Sequence, residues 1–315
     1  MGGSVALAAG PVLGGLLTET AGWRAVFLLN IPVGAAALAL LVRTAPSPRR
    51  PRSLDPAGQA AAVLTLTGLT FAVIEGGHAG WSSPTAVGAL AVAVLSGLAF
   101  VVAERRHREP MVPLGMFRQR GVALPLVVGF ASNCGFYGVV FLLGLYYQQL
   151  RGMSGTAAGL MFVPLSAVIT AANLLSPRLA ERLGRRPVIL VGQAVLAGAM
   201  FALLPLGEST PVWQVVLLLV PMGVGGALAM PALTALLMDA VPAHQVGTAS
   251  GLFNAVRQTG GALAVAVFGA LVAGDGEDFA LPGLRTSLVA AGTALCATTL
   301  LTAWVFARER RSVAG

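Results

Sequence analysis

Residues 211–238 read PVWQVVLLLVPMGVGGALAMPALTALLM and contain no charged side chain. A helix needs about 20 apolar residues to cross the hydrocarbon core of a bilayer, so this stretch is long enough to span it. Backbone N–H and C=O groups have no water to bind inside lipid, and a helix satisfies them within its own segment. The strands of a membrane β-barrel would alternate apolar and polar residues, which this run does not do. We therefore predict a membrane-spanning helix here.

Nine further stretches have the same character, and the ten together predict an all-α integral membrane protein. Of the 315 residues, 56% are hydrophobic and only 10% are charged, whereas soluble domains carry about 25% charged residues. This composition excludes a soluble enzyme and an intrinsically disordered chain. The ten expected spans are 2–17, 25–42, 57–75, 85–103, 122–147, 156–176, 187–206, 211–238, 247–273 and 284–306.

Arginine supplies all 20 basic residues, and its distribution predicts the orientation of the helices. Sixteen of the 20 lie on one side of the expected membrane, in loops 43–55, 104–120 and 177–187 or in the C-terminal tail. Cytoplasmic loops are rich in arginine and lysine, so we expect a multi-pass protein of the cell membrane with this side in the cytoplasm. An even number of spans then places both termini in the cytoplasm. Because the charges are sided and do not line a groove, we predict a lipid bilayer as partner and no nucleic acid.

The polar residues outline neither a catalytic centre nor a metal site. Cys134 and Cys296 lie far apart in separate apolar runs, where cysteine packs as a small apolar residue. None of the three histidines has metal-ligand spacing, and no hydrolase, metalloprotease or nucleotide-binding motif is present. We therefore predict that the protein is not an enzyme and uses no metal and no cofactor.

The first expected span carries small residues at every fourth position of MGGSVALAAGPVLGG. Small side chains on one face let a second helix approach closely, and proline within the run is expected to bend the helix. The chain continues as GWRAVFLLNIPVG at residues 22–34. With this continuation it resembles the major facilitator superfamily and, within it, the family of fourteen-span drug:proton antiporters. The residues that match the antiporter motif of this family are Gly10, Pro11, Gly14 and Gly15.

A second match is PRLAERLGRRPVI at residues 177–189, which resembles the cytoplasmic loop motif of the superfamily. Pro177 and Glu181 depart from the first copy of that motif, which has glycine and aspartate there. Glu181 is expected to pair with nearby arginines, and a glycine allows a tight turn. Such a cluster either latches the cytoplasmic face in one conformation or only anchors the loop on the positive side. The matching positions are Glu181, Arg182, Gly184, Arg185 and Arg186.

A third match, residues 238–271, resembles the loop and thirteenth span of the same family. Its polar residues recur every three or four positions and share one helix face. Arg257 stands about ten residues into the span, where an arginine is costly unless it faces water or a partner. We place this face on the central cavity or the domain interface, with Arg257 contacting substrate or bonding helix carbonyls or Asp239. The candidates for cavity lining or coupling are Asn254, Arg257, Gln258, Asp239, Glu75 and Asn133.

The resemblance implies a major facilitator-type helical bundle that lacks the first four spans of the family. Residues 1–42 would form the last two spans of the N-terminal half, and 43–120 two linker spans with cytoplasmic loops. Residues 121–306 would form the six-span C-terminal half, and 307–315 a cytoplasmic tail. The implied function is proton-coupled efflux of lipophilic drugs or metabolites, as in multidrug and antibiotic resistance, with protons and a lipophilic small molecule as ligands.

Alternating access requires both halves of such a transporter. We therefore expect coupled efflux only if the missing N-terminal spans are supplied. The alternative is a non-transporting remnant of a broken gene, or one part of a split transporter that a separate N-terminal chain completes. The upstream DNA distinguishes these cases, because it shows whether four more spans are encoded there.

Overall fold

The computed structural model describes residues 2–43, 55–107, 114–273 and 279–314, and these residues form helices with no strand among them. The helices are numbered here in chain order. They are α1 (Gly2–Ala21), α2 (Trp23–Leu28), α3 (Asn30–Leu41), α4 (Pro56–Ala79), α5 (Pro84–Arg106), α6 (Arg120–Leu145), α7 (Gly155–Leu160), α8 (Val163–Leu183), α9 (Arg185–Ala202), α10 (Val212–Asp239), α11 (Val246–Ala273) and α12 (Leu281–Ala314).

Nine segments of the described residues are long and apolar enough to cross a membrane. Each corresponds to one of the expected spans, which confirms the prediction of an all-α membrane protein. The remaining expected span, 2–17, lies in α1, which is not among the nine; the side chains of residues 2–9 and of Pro11 lie outside the described part. The nine are Trp23–Leu41, Pro56–Ala79, Pro84–Arg106, Arg120–Leu150, Gly155–Leu183, Arg185–Ala202, Val212–Asp239, Ala243–Ala273 and Leu281–Glu309.

Two helices begin where the sequence supplies a cap and a proline. The carboxylate of Asp55 accepts a hydrogen bond from the N–H of Gly58 at 2.8 Å, and the hydroxyl oxygen of Ser83 accepts one from the N–H of Ala86 at 3.2 Å. In α4 and α5 a proline follows the cap directly, where its missing N–H removes no helical hydrogen bond.

Proline also divides one expected span. The span 156–176 consists of two helices, α7 and α8, with Met161 and Phe162 between them. Pro164 lies in the first turn of α8, and its ring has no N–H to continue the helical ladder from α7. The expected single span is therefore interrupted just before this proline.

Helices α6 and α8–α12 pack into one bundle. Helix α6 contacts α10, α11 and α12, α9 lies against both α10 and α12, and α8 packs on α10. The bundle is filled by fully buried apolar side chains such as Leu142, Leu196 and Leu219. Its outer surface is also apolar, and Leu300 for example is 71% exposed. An apolar exterior suits a surrounding of lipid, because lipid tails are as apolar as leucine.

The first five helices lie outside this bundle. Helices α4 and α5 form an antiparallel pair, joined at one level by a hydrogen bond from the Thr65 hydroxyl to Ser96 Oγ at 3.1 Å, and α4 packs on α11. Helix α1 packs on α7 and α8. Helix α2 contacts α1 and α3, and neither α2 nor α3 buries a residue.

Candidate functional site

Arg257 lies near the middle of α11, and its side chain meets α6. Its Nε donates a hydrogen bond to Oδ1 of Asn133 at 3.2 Å. The carbon at the centre of its guanidinium lies 5.4 Å from the centre of the Phe253 ring. The structure therefore brings together two candidate residues that are 124 positions apart. Asp239, considered from the sequence as a partner of Arg257, is bound to Arg185 instead.

Two glycines allow α11 and α6 to approach closely at this level. A Cβ atom on Gly260 would lie 2.5 Å from the carbonyl oxygen of Phe130. One on Gly129 would lie 2.5 Å from the Phe253 ring and 3.1 Å from Cγ of Arg257. Carbon atoms pack about 3.5–4.0 Å apart, so larger residues would push the helices apart and separate the guanidinium from Asn133.

A cavity of about 190 Å³ lies beside this pair, between α6, α8, α10 and α11. Its lining combines polar side chains with apolar ones and with two small residues of α10. No carboxylate lines it. The polar or aromatic-hydroxyl side chains in the wall are Ser132, Asn133, Tyr137, Asn173 and Arg257.

Two polar side chains in this wall are almost completely buried. Ser132 is 3% exposed and Asn133 is 4% exposed. Within the described residues, neither Oγ of Ser132 nor Nδ2 of Asn133 has a hydrogen-bond partner. Leaving a buried polar group unpaired costs about 1–3 kcal/mol. Such groups are rare in folded proteins and call for an explanation, such as a partner supplied by water or a ligand.

The other cavity and coupling candidates lie elsewhere. Asn254 and Gln258 are on the same helix as Arg257 but are exposed and do not line the cavity. Glu75, near the end of α4, accepts a hydrogen bond from the hydroxyl of Thr85 at 2.8 Å and so joins α4 to α5. The structure thus brings Arg257 and Asn133 together and leaves Asn254, Gln258 and Glu75 apart from them.

The arginines of the cytoplasmic loop motif are paired at the start of α9. Arg185 forms an ion pair with Asp239 at the end of α10, and Arg186 forms one with Glu309 of α12 at 2.6 Å. The sequence prediction that Glu181 would bind these arginines is wrong. Gly184, with φ +87°, starts a new helix whose first turn meets α10 and α12. Glu181 and Arg182, on α8 before that turn, are exposed.

The antiporter-motif residues lie on α1, where only one of the described glycines makes a close contact. A Cβ atom on Gly15 would lie 2.4 Å from the carbonyl oxygen of Gly155, at the start of α7. A Cβ on Gly10 or Gly14 would have no atom within 4 Å. The close approach is therefore made by Gly15 and not by the four-residue repeat that the sequence suggested. Pro11 lies within α1, which runs through it as a helix.

Sequence reasoning missed the residue that joins α1 to α7. The carboxylate of Glu19 accepts hydrogen bonds from the N–H of Thr156 at 2.9 Å and from its hydroxyl at 2.5 Å. Glu19 follows Gly15 by one helical turn, so the two residues contact the same end of α7. The signal that the sequence offers for this contact is a carboxylate four residues after Gly15, the last residue of the antiporter motif.

Larger cavities lie away from the polar pair. One of about 500 Å³ is bounded by α6, α11 and α12, and one of about 550 Å³ by α4, α6 and α11. Both are lined mainly by apolar residues, and neither contains Arg257 or Asn133. In the described parts of the chain, no group of three His, Cys, Asp or Glu side chains is placed to hold a metal ion.

Long apolar helices that border a partly polar cavity are typical of a multi-pass membrane protein. Residues 1–265 match the sequence profile of the Major Facilitator Superfamily, and the chain belongs to that superfamily. The motifs of α1 and of the α8–α9 turn predict this superfamily, and the match confirms that prediction.

Among curated proteins, the methylenomycin A resistance protein of Bacillus subtilis (strain 168) is 31% identical over 298 residues, which cover 91% of this chain and 64% of the relative. The methylenomycin A resistance protein of Streptomyces coelicolor is 32% identical over 264 residues, covering 84% and 56%. The multidrug resistance protein Stp of Mycobacterium tuberculosis is 34% identical over 272 residues, covering 86% and 50%. This chain thus spans about half to two thirds of the length of these relatives.

Among solved structures, the nucleoside transporter NupG has 17% sequence identity to this chain, with a TM-score of 0.46. The similarity covers 79% of this chain and 64% of that one.

Proposed function

We propose that the chain is part of a proton-coupled exporter of lipophilic drugs or metabolites, of the fourteen-span kind. The observation that carries the proposal is the Arg257–Asn133 pair beside a cavity near the middle of membrane-spanning helices. A charged group at that depth is costly and is retained where it serves a site or a pathway. Superfamily membership and the resistance proteins among the relatives support an export function.

In this proposal α1–α3 are the last two spans of the N-terminal half, α4 and α5 are the linker, and α6–α12 are the C-terminal half. The contact of α1 with α7 and α8 would then join the two halves. Both termini would lie in the cytoplasm, which the arginine-rich loops support. The exposed residues Asn254 and Gln258 on α11 would face the substrate path between the halves.

For proton coupling, Asp239 is the better of the two carboxylates named from the sequence. Its ion pair with Arg185 joins the ends of α10 and α9. Protonation would remove the negative charge and release that pair, which would couple a proton to movement at the expected cytoplasmic end. Glu75 is bound to a hydroxyl on the neighbouring linker helix, so its protonation would act away from the cavity.

The second candidate function is one part of a split transporter. Helices α2 and α3 bury no residue among the described parts of the chain, so their surfaces are open to a partner chain or to lipid. In that case the chain alone would move no substrate, and a separate N-terminal chain would restore transport.

Both candidates are tested by drug resistance in a bacterial strain that lacks its own major exporters. Cells would produce the chain alone, or the chain joined to the N-terminal region of the B. subtilis relative. We expect resistance to at least one lipophilic compound in the joined form, lost on addition of an uncoupler. Arg257→Gln should abolish this resistance, whereas Arg285→Gln, an exposed arginine of α12, should preserve it. Absence of resistance from both forms would contradict the exporter proposal.

A further inference from the structure

We propose that the cavity beside Arg257 binds the acidic end of a lipophilic anion, a carboxylate or an enolate. The inference rests on the proposed function, because it names the substrate class of the same site. It is carried by three properties of the cavity wall: the hydrogen-bond groups that remain unused, the absence of negative charge, and the apolar residues in the lining.

The polar part of the wall offers mainly donors. Arginine has five N–H groups and no acceptor, and within the described residues only Nε of Arg257 is bonded, to Asn133. Because arginine accepts nothing, the amide of Asn133 must turn its oxygen towards the guanidinium, and its NH₂ is left over. That Nδ2 atom has no partner among the described residues. Nη1 and Nη2 of Arg257 and Nδ2 of Asn133 are therefore available to acceptor atoms of a ligand.

The charge of the cavity favours the same class of ligand. Neither aspartate, glutamate nor histidine lines it, so the guanidinium has no counter-charge among the lining residues. Arg257 is half-buried, and a charge that is removed from water is normally paired, because the removal is costly. An anionic ligand would supply the missing charge, whereas a cationic ligand would add a second positive charge in a medium of low dielectric constant.

The shape of the site suggests how the ligand lies. A guanidinium presents two parallel N–H groups that match the two oxygens of a carboxylate. Phe136, Ile169 and Met230 form the apolar wall, against which the body of the ligand would pack. The volume of about 190 Å³ is below the range of about 300–1,000 Å³ typical of drug sites. The acidic end and one small ring system would therefore occupy the cavity, and a larger body would extend out of it.

Equilibrium binding with matched probes tests this inference. The purified full chain in lipid nanodiscs would be titrated by calorimetry at neutral pH with 2-naphthoate, 2-naphthamide and 2-naphthylmethylammonium, and empty nanodiscs would correct for partition into lipid. We expect the carboxylate to bind at least tenfold more tightly than the ammonium compound, with the amide between them. Equal or tighter binding of the ammonium compound would overturn the inference, as would failure of all three probes to bind.

Two substitutions assign the preference to this site. Arg257→Gln should remove the difference between the carboxylate and the ammonium compound, while the exposed Arg285→Gln should keep it. Asn133→Asp places a carboxylate beside Arg257 and should weaken naphthoate binding at least tenfold in a folded protein, because the internal anion takes the ligand's place. A preference that survives both Arg257→Gln and Asn133→Asp would show that the anion binds elsewhere.

The outcome is separable from the proposed function. A chain that exports lipophilic compounds but binds the three probes without preference would contradict only the anion inference. A chain that prefers naphthoate, loses that preference in Arg257→Gln and transports nothing in either form would leave the inference standing and contradict the exporter proposal.

Discussion

Glu19 of α1 accepts two hydrogen bonds from Thr156 of α7, although the two residues are 137 positions apart. One helical turn earlier, Gly15 packs against the backbone of Gly155. The C-terminal part of α1 is thus held against the start of α7 in two ways, by a close backbone contact and by the carboxylate of Glu19. If α1 belongs to the N-terminal half, as we propose, these four residues form a contact between the halves.

The close contact predicts different results for two neighbouring glycines. Gly15→Ala would place a methyl group 2.4 Å from the carbonyl oxygen of Gly155, so α1 must move away. Overpacking of this kind costs about 1–3 kcal/mol. Gly14→Ala meets open space and should be neutral or slightly stabilising, because alanine favours helix more than glycine does. Thermal unfolding of the purified variants measures the difference, and equal losses from both substitutions would contradict the assigned contact.

The hydrogen bonds to Glu19 predict a response to acid. The Thr156 hydroxyl, followed by its N–H, holds the pKa of the Glu19 carboxyl below its ordinary value of 4.5. A carboxyl whose pKa is lowered in the folded state stabilises that state when ionised. Its contribution is therefore complete above pH 4.5 and is lost as the pH falls through the lowered pKa.

The distance between spin labels attached to α1 and α7, measured by electron paramagnetic resonance, reports this response. We expect the distance to be constant from neutral pH down to about 5 and to increase below that, as the ordinary carboxyl pKa is approached. Glu19→Gln keeps the size of the side chain but does not titrate, so the distance in this variant should not follow the acid change. An identical pH profile in Glu19→Gln would assign the effect to another group.

The spans, and the position of Arg257 within one of them, were predictable from the sequence because each depends on local chemistry. A long apolar run or an arginine in the middle of one is visible without knowing its neighbours. The partner of Arg257 was not predictable, because it depends on how closely α6 and α11 approach at Gly129 and Gly260. Asn133 was among the candidates, but nothing in its spacing linked it to residue 257.

The partners of other side chains depend on tertiary structure in the same way. Tyr146 and Tyr147 are both fully buried in a π-helical turn. The hydroxyl of Tyr146 donates to the carbonyl oxygen of Gly207 at 2.9 Å, which satisfies it inside the protein. The pairing of Glu181 with the loop arginines failed because the turn at Gly184 directs the next helix towards α10 and α12. The hydrogen-bond and ion-pair partners of polar side chains near helix ends therefore depend on how the helices pack in the bundle.

The paired arginines at the start of α9 predict a modest, salt-sensitive stabilisation. In the Arg186–Glu309 pair both side chains are more than a third exposed, at 38% and 36%. Pairs this exposed are worth about 0–1 kcal/mol and are screened by salt. Glu309→Gln should lower thermal stability slightly at low salt and have little effect at high salt. Glu181 is an exposed carboxylate of the same region, so Glu181→Gln should leave the thermal stability unchanged at either salt concentration. A larger loss of thermal stability in Glu181→Gln than in Glu309→Gln would contradict the assigned ion pair.

The Arg257–Asn133 hydrogen bond predicts the largest energetic coupling. A hydrogen bond to a charged group contributes about 1.5–3 kcal/mol, and loss of the acceptor leaves a guanidinium in a low-dielectric site. Asn133→Ala should therefore destabilise the bundle by about 1.5–3 kcal/mol. Once Arg257→Met has removed the charge, the same change should cost much less, because no donor is then left unpaired.

A double-mutant cycle, measured by reversible unfolding in mixed detergent micelles, isolates this coupling from the effect of each substitution alone. Asn173→Ala is the matched control, since Asn173 lines the same cavity without a hydrogen bond to Arg257. The cycle of Asn173→Ala with Arg257→Met should give a coupling near zero. Equal coupling of both asparagines to Arg257 would contradict this prediction. The stabilisation would then be a general property of the polar cavity and would not come from the hydrogen bond between Arg257 and Asn133.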